Sequence, residues 1–207
     1  MARREDLQRL TLKNFEKFFL PKDVQKGRNA ITFEVIKKYV SNFLEKDMVR
    51  CSDNEITIIA VEKTVKVPFT ITQQPYPIFL KGKLDRLETV NGLPHILDYK
   101  TGQVYPYELK LDSLNEITTS EKQAKAFQLL CYAYMIHSTF DQEVNLLASI
   151  VPIKKLGAGF IPLVLKTEDG QKSEQITPEV LSLFKLELSS LLREIIDAKE
   201  PFTDLTL

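Results

Sequence analysis

The stretch GKLDRLETVNGLPHILDYKTG, residues 82–102, contains the clearest local folding signal in the chain. Asn91 and Gly92 lie between two runs rich in strand-forming residues. An Asn-Gly pair favours the two-residue type I′ turn, because both central residues of that turn need positive φ. The pattern therefore predicts a β-hairpin. Counting outward from a two-residue loop places Asp85 directly opposite Asp98.

The predicted hairpin carries charge where a strand pair usually carries apolar side chains. Alternation of side chains places one set of residues on a shared face: Lys83, Asp85, Leu87, Ile96, Asp98 and Lys100. Like charges directly opposite one another destabilise a strand pair, so the two carboxylates need a counter-charge. A divalent cation between them is one explanation, and a solvated ladder neutralised by the lysines is the other. Apolar residues on both faces predict a hairpin covered on both sides, where charges are costly unless paired or metal-bound.

Composition excludes several functional classes. Lysine plus arginine equal aspartate plus glutamate at 28 each, so the bulk charge does not indicate a nucleic-acid partner. No apolar run approaches the ~20 residues of a membrane span, and the first residues lack the apolar core of a signal peptide. Cys51 and Cys131 are the only cysteines and form no CxxC, which argues against a zinc or iron–sulfur site. We expect a cytoplasmic protein without membrane association.

Periodicity predicts an α/β (α+β) fold with a mixed sheet flanked by helices. Helices are predicted over about 5–20, 32–45, 118–137 and from Thr177-Pro178 onward. Strands are predicted over 55–61, 66–72, 143–153 and 159–167, with the hairpin over 78–100 and a long loop over 103–115.

A second group of polar residues lies in the third predicted helix. Lys125, Gln128 and Tyr132 follow one another at spacings of three and four, so they form a stripe along one side. Ammonium, amide and phenol groups are suited to contacts with phosphates and sugar edges. The alternative is a solvated helix side with a half-buried tyrosine. Arg86, in the hairpin, either pairs with Glu88 or reaches DNA.

Three motifs follow one another over residues 82–132: GKLDRLE, then ILDYKTG after a hairpin turn, then Gln-x-x-x-Tyr on the next predicted helix. They resemble the nuclease domain of the RecB-like branch of the PD-(D/E)XK superfamily, in particular the C-terminal nuclease domains of AddB-type helicase–nucleases. The resemblance implies a restriction-endonuclease-like fold, Mg²⁺ or Mn²⁺, and hydrolysis of DNA phosphodiester bonds. It also implies a role in DNA repair or recombination, with helicase domains or a helicase subunit as partner.

The resemblance assigns roles by position. It implies Asp85, Asp98 and the Tyr99 carbonyl as metal ligands, Lys100 as the catalytic lysine, and Gln128, Tyr132 and Lys125 as residues that brace the site and the DNA. Many of these domains place a further ligand on the helix before the sheet, where this chain offers only Glu34. The four cysteines that bind an iron–sulfur cluster in several relatives are absent, so no cluster is expected.

Domain organisation follows from the same resemblance. We expect a single nuclease-like domain over residues 1–207, with an N-terminal helical appendage (1–30) and a core (31–207), and such domains often end longer polypeptides. Two other functions stay open at this point. One is a DNA-binding or scaffolding module that keeps the nuclease fold without catalysis; the other is a protein-interaction domain with a surface charge ladder.

Overall fold

The computed structural model describes residues 4–18, 26–72, 74–140, 143–167 and 169–198. Within these residues the α-helices are α1 (Arg4–Phe18), α2 (Gly27–Asp53), α3 (Ala124–His137) and α4 (Pro178–Ile196). The strands are β1 (Ile56–Phe69), β2 (Ile78–Val90), β3 (Leu93–Lys100), β4 (Lys110–Leu111), β5 (Leu147–Pro152), β6 (Ile161–Pro162), β7 (Val164–Lys166) and β8 (Lys172–Ser173). Short 3₁₀ segments cover Pro106–Leu109, Glu121–Gln123 and Ile153–Ala158. The predicted end of the first helix, residues 19–20, lies outside the described residues.

The central sheet is mixed, as predicted. Its strand order is β1-β2-β3-β5-β6, with β3 and β5 parallel and the other neighbours antiparallel. A second, small sheet has the order β4-β7-β8. Helix α3 contacts one face of the central sheet, and α2 contacts the other through ion pairs and aromatic contacts. The α+β architecture with a helix-flanked mixed sheet is therefore confirmed.

The hairpin forms at the predicted turn. Asn91 and Gly92 have φ values of 50° and 85°, the positive values that a type I′ turn needs. From this turn the predicted register holds as far as Arg86 opposite Leu97. The predicted pairing of Asp85 with Asp98 would come next, but the paired ladder ends one residue before it. Strands β2 and β3 therefore separate at Asp85.

The predicted shared face is wrong at one point. Leu84 and Leu87, three residues apart, both belong to the core cluster that includes α3. Regular alternation would send them to opposite faces, so the alternation breaks between them. Lys83 is consequently exposed and pairs with Glu62 instead of joining the face of Leu87. On β1, Glu62 has a φ of 53° and lies between the partners of Arg86 and Leu84, where the register skips a pair, so the backbone is irregular at this position.

Several predicted element boundaries are also corrected. The strands predicted over 55–61 and 66–72 are one continuous strand, β1, and the helix predicted over 32–45 extends to Gly27–Asp53. The strand predicted over 159–167 divides into β6 and β7, which belong to different sheets. Tertiary pairing decides the strand boundaries, since strand continuity depends on the neighbouring strand.

Helix α4 begins as predicted and covers the core beside α3. The Thr177 hydroxyl accepts a hydrogen bond from the Val180 N–H, and Pro178 occupies the first helical turn. Phe184 is fully buried and packs edge-on against Phe127 of α3. Near the end of α4, Ile195 is 47% exposed, because the core contacts end with the preceding turns.

Helix α1 packs on α2, with Phe15 edge-on to Phe33 at 5.6 Å between ring centroids. Because α2 begins at Gly27, the predicted appendage over 1–30 would end in the first turn of this helix. That division of the chain stays a prediction. None of the described helices combines the length and the apolar character needed to cross a membrane.

Candidate active site

The separation of β2 and β3 opens a fork at the end of β3, and Asp85 lies in this fork. Its carboxylate Oδ2 accepts a hydrogen bond of 2.7 Å from the backbone N–H of Tyr99. A side-chain acceptor thus replaces the ladder partner that β3 loses here. The hydrogen bond fixes the Asp85 carboxylate next to the last residues of β3.

Asp98 and Lys100 occupy alternate positions on β3 and point to the same face. The Asp98 carboxylate is buried, and its Oδ2 lies 2.9 Å from Lys100 Nζ. Burial raises the pKa of Asp98 above its ordinary value; attraction to Lys100 opposes this rise, and the negative charge of Asp85 adds to it. Asp98 Oδ2 accepts no aligned hydrogen bond from the described residues, so its contact with Lys100 is an ion pair.

Helix α3 holds the lysine in place. Lys100 Nζ donates a hydrogen bond of 2.7 Å to Gln128 Oε1, and Gln128 Nε2 donates one of 3.1 Å to the Tyr132 hydroxyl. Tyr132 can approach the sheet because Gly82 has no side chain: a Cβ there would lie 2.9 Å from Tyr132 Cε1 and 2.6 Å from Met135 Cε. The structure therefore brings together five of the residues singled out from the sequence: Asp85, Asp98, Lys100, Gln128 and Tyr132.

Lys125 has a different partner from the one expected. Its Nζ lies 2.6 Å from Glu108 Oε1, and Glu108 Oε2 accepts the backbone N–H of Tyr105 at 2.7 Å. Burial opposes ionisation of Glu108, but the hydrogen bonds from Lys125 and Tyr105 outweigh it and lower the pKa of this carboxyl. Lys125 thus fastens the segment after β3 to α3, and its charge is already neutralised by Glu108.

Glu34 lies apart from this group. Its carboxylate is 62% exposed and forms an ion pair of 2.7 Å with Lys37 on the same helix. The residues that line the adjoining crevice with Glu34 come from α1 and α2. No contact among the described residues joins it to Asp85 or Asp98.

The donor set at the fork fits a hard divalent cation. Mg²⁺ is commonly bound by one or two carboxylates, with water and substrate phosphate oxygens completing its octahedron. Asp85 and Asp98 supply two carboxylates whose repulsion a cation would relieve, and Asp98 Oδ2 has no hydrogen-bond donor. No group of three His, Cys, Asp or Glu side chains suited to a metal occurs in the described ranges, so such an ion would depend on backbone oxygen, water and substrate for its other ligands.

A buried ion network lies on the α2 side of the same strands, and of its contacts only the Arg86–Glu88 pair was among the alternatives that the sequence left open. Glu88 is fully buried and lies 2.5 Å from Arg50 Nη2 and 2.5 Å from Arg86 Nη2. Asp47 closes the network at 2.7 Å from each guanidinium. The sequence left two alternatives for Arg86, pairing with Glu88 or contact with DNA. In the structure Arg86 is 4% exposed and paired with both Glu88 and Asp47.

The network extends to β3 and β5 through His95. His95 Nδ1 lies 3.3 Å from Glu88, and His95 Nε2 hydrogen-bonds Ser149 Oγ on β5 at 2.9 Å. Tyr99 packs edge-on against Phe43 of α2 at 5.3 Å between centroids. Of the two alternatives for Arg86, pairing with Glu88 is confirmed. The partners from α2, Asp47 and Arg50, were not predicted, because they depend on how the helix packs on the sheet.

One family model matches almost the whole chain. The model of the PD-(D/E)XK nuclease superfamily matches residues 2–205. No curated protein matches the chain.

Proposed function

Because the chain belongs to the PD-(D/E)XK nuclease superfamily, we propose that it is a metal-dependent DNA nuclease that hydrolyses phosphodiester bonds at the fork between β2 and β3. The observation that carries this proposal is the convergence of Asp85, Asp98 and Lys100. Hydrogen bonds hold Asp85 and Lys100, and an ion pair joins Lys100 to Asp98. Two neighbouring carboxylates and one ammonium are suited to metal-assisted phosphodiester hydrolysis.

Each residue has a role in this proposal. Asp85, Asp98 and the Tyr99 carbonyl would hold Mg²⁺ or Mn²⁺. Glu34 stays a prediction from the sequence, since its carboxylate pairs with Lys37 away from the fork. The metal would supply Lewis-acid polarisation of the scissile phosphate. Lys100 would orient the attacking water and offset the negative charge that develops on the phosphate oxygens as the P–O bond to the leaving group breaks.

Gln128 and Tyr132 act through Lys100 and are positioning residues. Gln128 Oε1 accepts one of the three Nζ protons, so the ammonium keeps its ion pair with Asp98 and still has N–H groups to donate to substrate. Lys125, bound to Glu108, is proposed to act on DNA by fixing the neighbouring segment.

The wider setting is also a proposal. The resemblance of residues 82–132 to RecB-like and AddB-type nuclease domains supports action in the cytoplasm on DNA in repair or recombination, alongside helicase domains or a helicase subunit. The free thiols of Cys51 and Cys131 are compatible with that compartment.

The test is cleavage of end-labelled linear DNA, single-stranded and duplex, with Mn²⁺ or Mg²⁺. We expect Asp98→Ala and Lys100→Ala to lose about 10²–10³-fold in rate. Asp112→Ala, which removes an exposed aspartate outside the fork, should retain wild-type activity. Full activity of either fork variant would refute the assignment.

Metal binding by calorimetry separates the nuclease from the inactive module. The nuclease should bind Mn²⁺ in a manner lost in Asp85→Ala. A wild-type protein that binds DNA, takes up no Mn²⁺ and cleaves nothing would instead be a non-catalytic DNA-binding module.

A further inference from the structure

A pair of exposed, stacked tyrosines lies in the segment that follows β3. Tyr105 and Tyr107 are 42% and 61% exposed, and their rings stack with centroids 5.4 Å apart at an interplanar angle of 13°. Large aromatic side chains are usually buried, because their removal from water stabilises the fold in proportion to their large apolar area. An exposed parallel pair therefore offers a preformed π-surface to a flat ligand.

Local contacts hold the pair in a single arrangement. Pro106 lies between the two tyrosines and begins a 3₁₀ turn that extends to Leu109, which is fully buried. Glu108 accepts the backbone N–H of Tyr105 at 2.7 Å, and Gln103 Nε2 donates to the Tyr105 hydroxyl. A surface fixed in this way loses little conformational entropy when a ligand binds.

The same contacts connect the pair to the fork. Glu108 binds Lys125, which precedes Gln128 by three residues on α3, and Gln128 binds Lys100. Along the chain, Tyr105 follows Lys100 by only five residues, so their Cα atoms lie within about 18 Å of each other. A DNA strand with its phosphate at Lys100 would reach the tyrosines within a few nucleotides.

We propose that Tyr105 and Tyr107 form a stacking platform for the bases of an unpaired DNA strand and so direct a single-stranded substrate to the fork. Bases inside a duplex are covered by their neighbours and present only their edges, whereas a phenol ring stacks on the open face of an unpaired base. Aromatic platforms of this kind are tolerant of sequence, since every base has a π-face. The inference rests on the proposed nuclease function.

The test measures binding by fluorescence anisotropy in EDTA, where cleavage cannot occur. The probes are a labelled oligothymidylate strand and a hairpin-capped duplex that lacks an open end. For the double variant Tyr105→Ala/Tyr107→Ala we expect about tenfold or greater loss of affinity for the single strand. Affinity for the capped duplex should change less than twofold. Tyr105→Phe/Tyr107→Phe, which keeps both rings, should bind the single strand like the wild type.

Tyr76→Ala is the matched control, because Tyr76 is 75% exposed and belongs to a different loop. Equal losses for single strand and duplex, or no loss for the single strand, would overturn the platform. A wild-type protein with no measurable affinity for the oligothymidylate would also overturn the platform.

The two proposals fail separately. Cleavage that depends on Asp98, with the same preference between single strand and duplex in the wild type and in Tyr105→Ala/Tyr107→Ala, would refute the platform and leave the nuclease standing. Tyrosine-dependent binding of the single strand without any cleavage would support the platform and refute the nuclease.

Discussion

Replacement of Glu88 by glutamine tests whether the buried ion network stabilises the fold. The substitution keeps the shape of the side chain but leaves Arg50 and Arg86 with Asp47 as their single anionic partner. Arg86 is 4% exposed and cannot recover its hydration. Breaking a buried ion pair by removing one partner costs about 3–5 kcal/mol. That is a large part of the roughly 5–15 kcal/mol by which domains are stable.

The assay is urea unfolding followed by circular dichroism at pH 7.5. With an m-value of about 2–3 kcal/mol/M, we expect Glu88→Gln to lower the midpoint by roughly 1.5 M without changing m. The matched control is Glu62→Gln on the neighbouring strand, whose ion pair with Lys83 is exposed on both sides. Exposed pairs contribute about 0–1 kcal/mol, so Glu62→Gln should shift the urea midpoint very little. Equal, small shifts for both variants would refute the reasoning.

The pH dependence supplies a second check on the same residue. Burial raises the pKa of Glu88, but hydrogen bonds from His95 and Arg50 and the charges of both arginines outweigh it, and the pKa is lowered. A lowered folded-state pKa contributes stability above the unfolded value of about 4.3, and that contribution is lost as pH falls through the folded value. The gap between wild type and Glu88→Gln should therefore be constant above about pH 5 and narrow in acid.

Two further predictions concern the fork. Gly82→Ala should lower the free energy of unfolding by about 1–3 kcal/mol through overpacking and should slow cleavage, because its Cβ would lie 2.6 Å from Met135 Cε and 2.9 Å from Tyr132 Cε1. Gly102→Ala, with nothing within 4 Å of its Cβ, should melt and cleave like the wild type. Equal effects of the two substitutions would contradict the steric argument. Asp98→Asn should slow cleavage about as much as Asp98→Ala does, yet stabilise the protein by about 0.5–2 kcal/mol, because it removes a buried charge beside a second carboxylate. Mn²⁺ should raise the melting temperature of the wild type and not that of the variant. A variant that is less stable than the wild type, or that responds equally to Mn²⁺, would contradict this.

Sequence patterns predicted the elements that depend on neighbours in the chain. The positive φ values at Asn91 and Gly92, the register near the turn and the cap at Thr177 follow from local backbone chemistry, and all three are confirmed. Boundaries that depend on distant strands were predicted less well. The division of 159–167 between two sheets is set by which strands lie beside each half.

The candidate site shows the same distinction. Spacing alone placed Asp98 and Lys100 on one face of a strand, and helical periodicity put Gln128 and Tyr132 one turn apart. The ion pair of Asp98 with Lys100 and the hydrogen bond from Lys100 to Gln128 agree with both expectations. Spacing could not show that Lys125 would be neutralised by Glu108, because that contact joins segments whose approach depends on packing.

The sequence by itself determined where the hairpin turns, which residues carry charge, and which side chains share a face wherever the strand or helix is regular, since these follow from backbone geometry within a few residues. It did not determine the break in alternation between Leu84 and Leu87. Only the tertiary structure decided that β2 leaves β3 at Asp85, that α2 buries a four-residue ion network behind the site, and that Tyr105 and Tyr107 stay exposed. These features depend on which distant element covers a given face. Burial and partner choice, and hence the energetic cost of each charge, are properties of the packed chain as a whole.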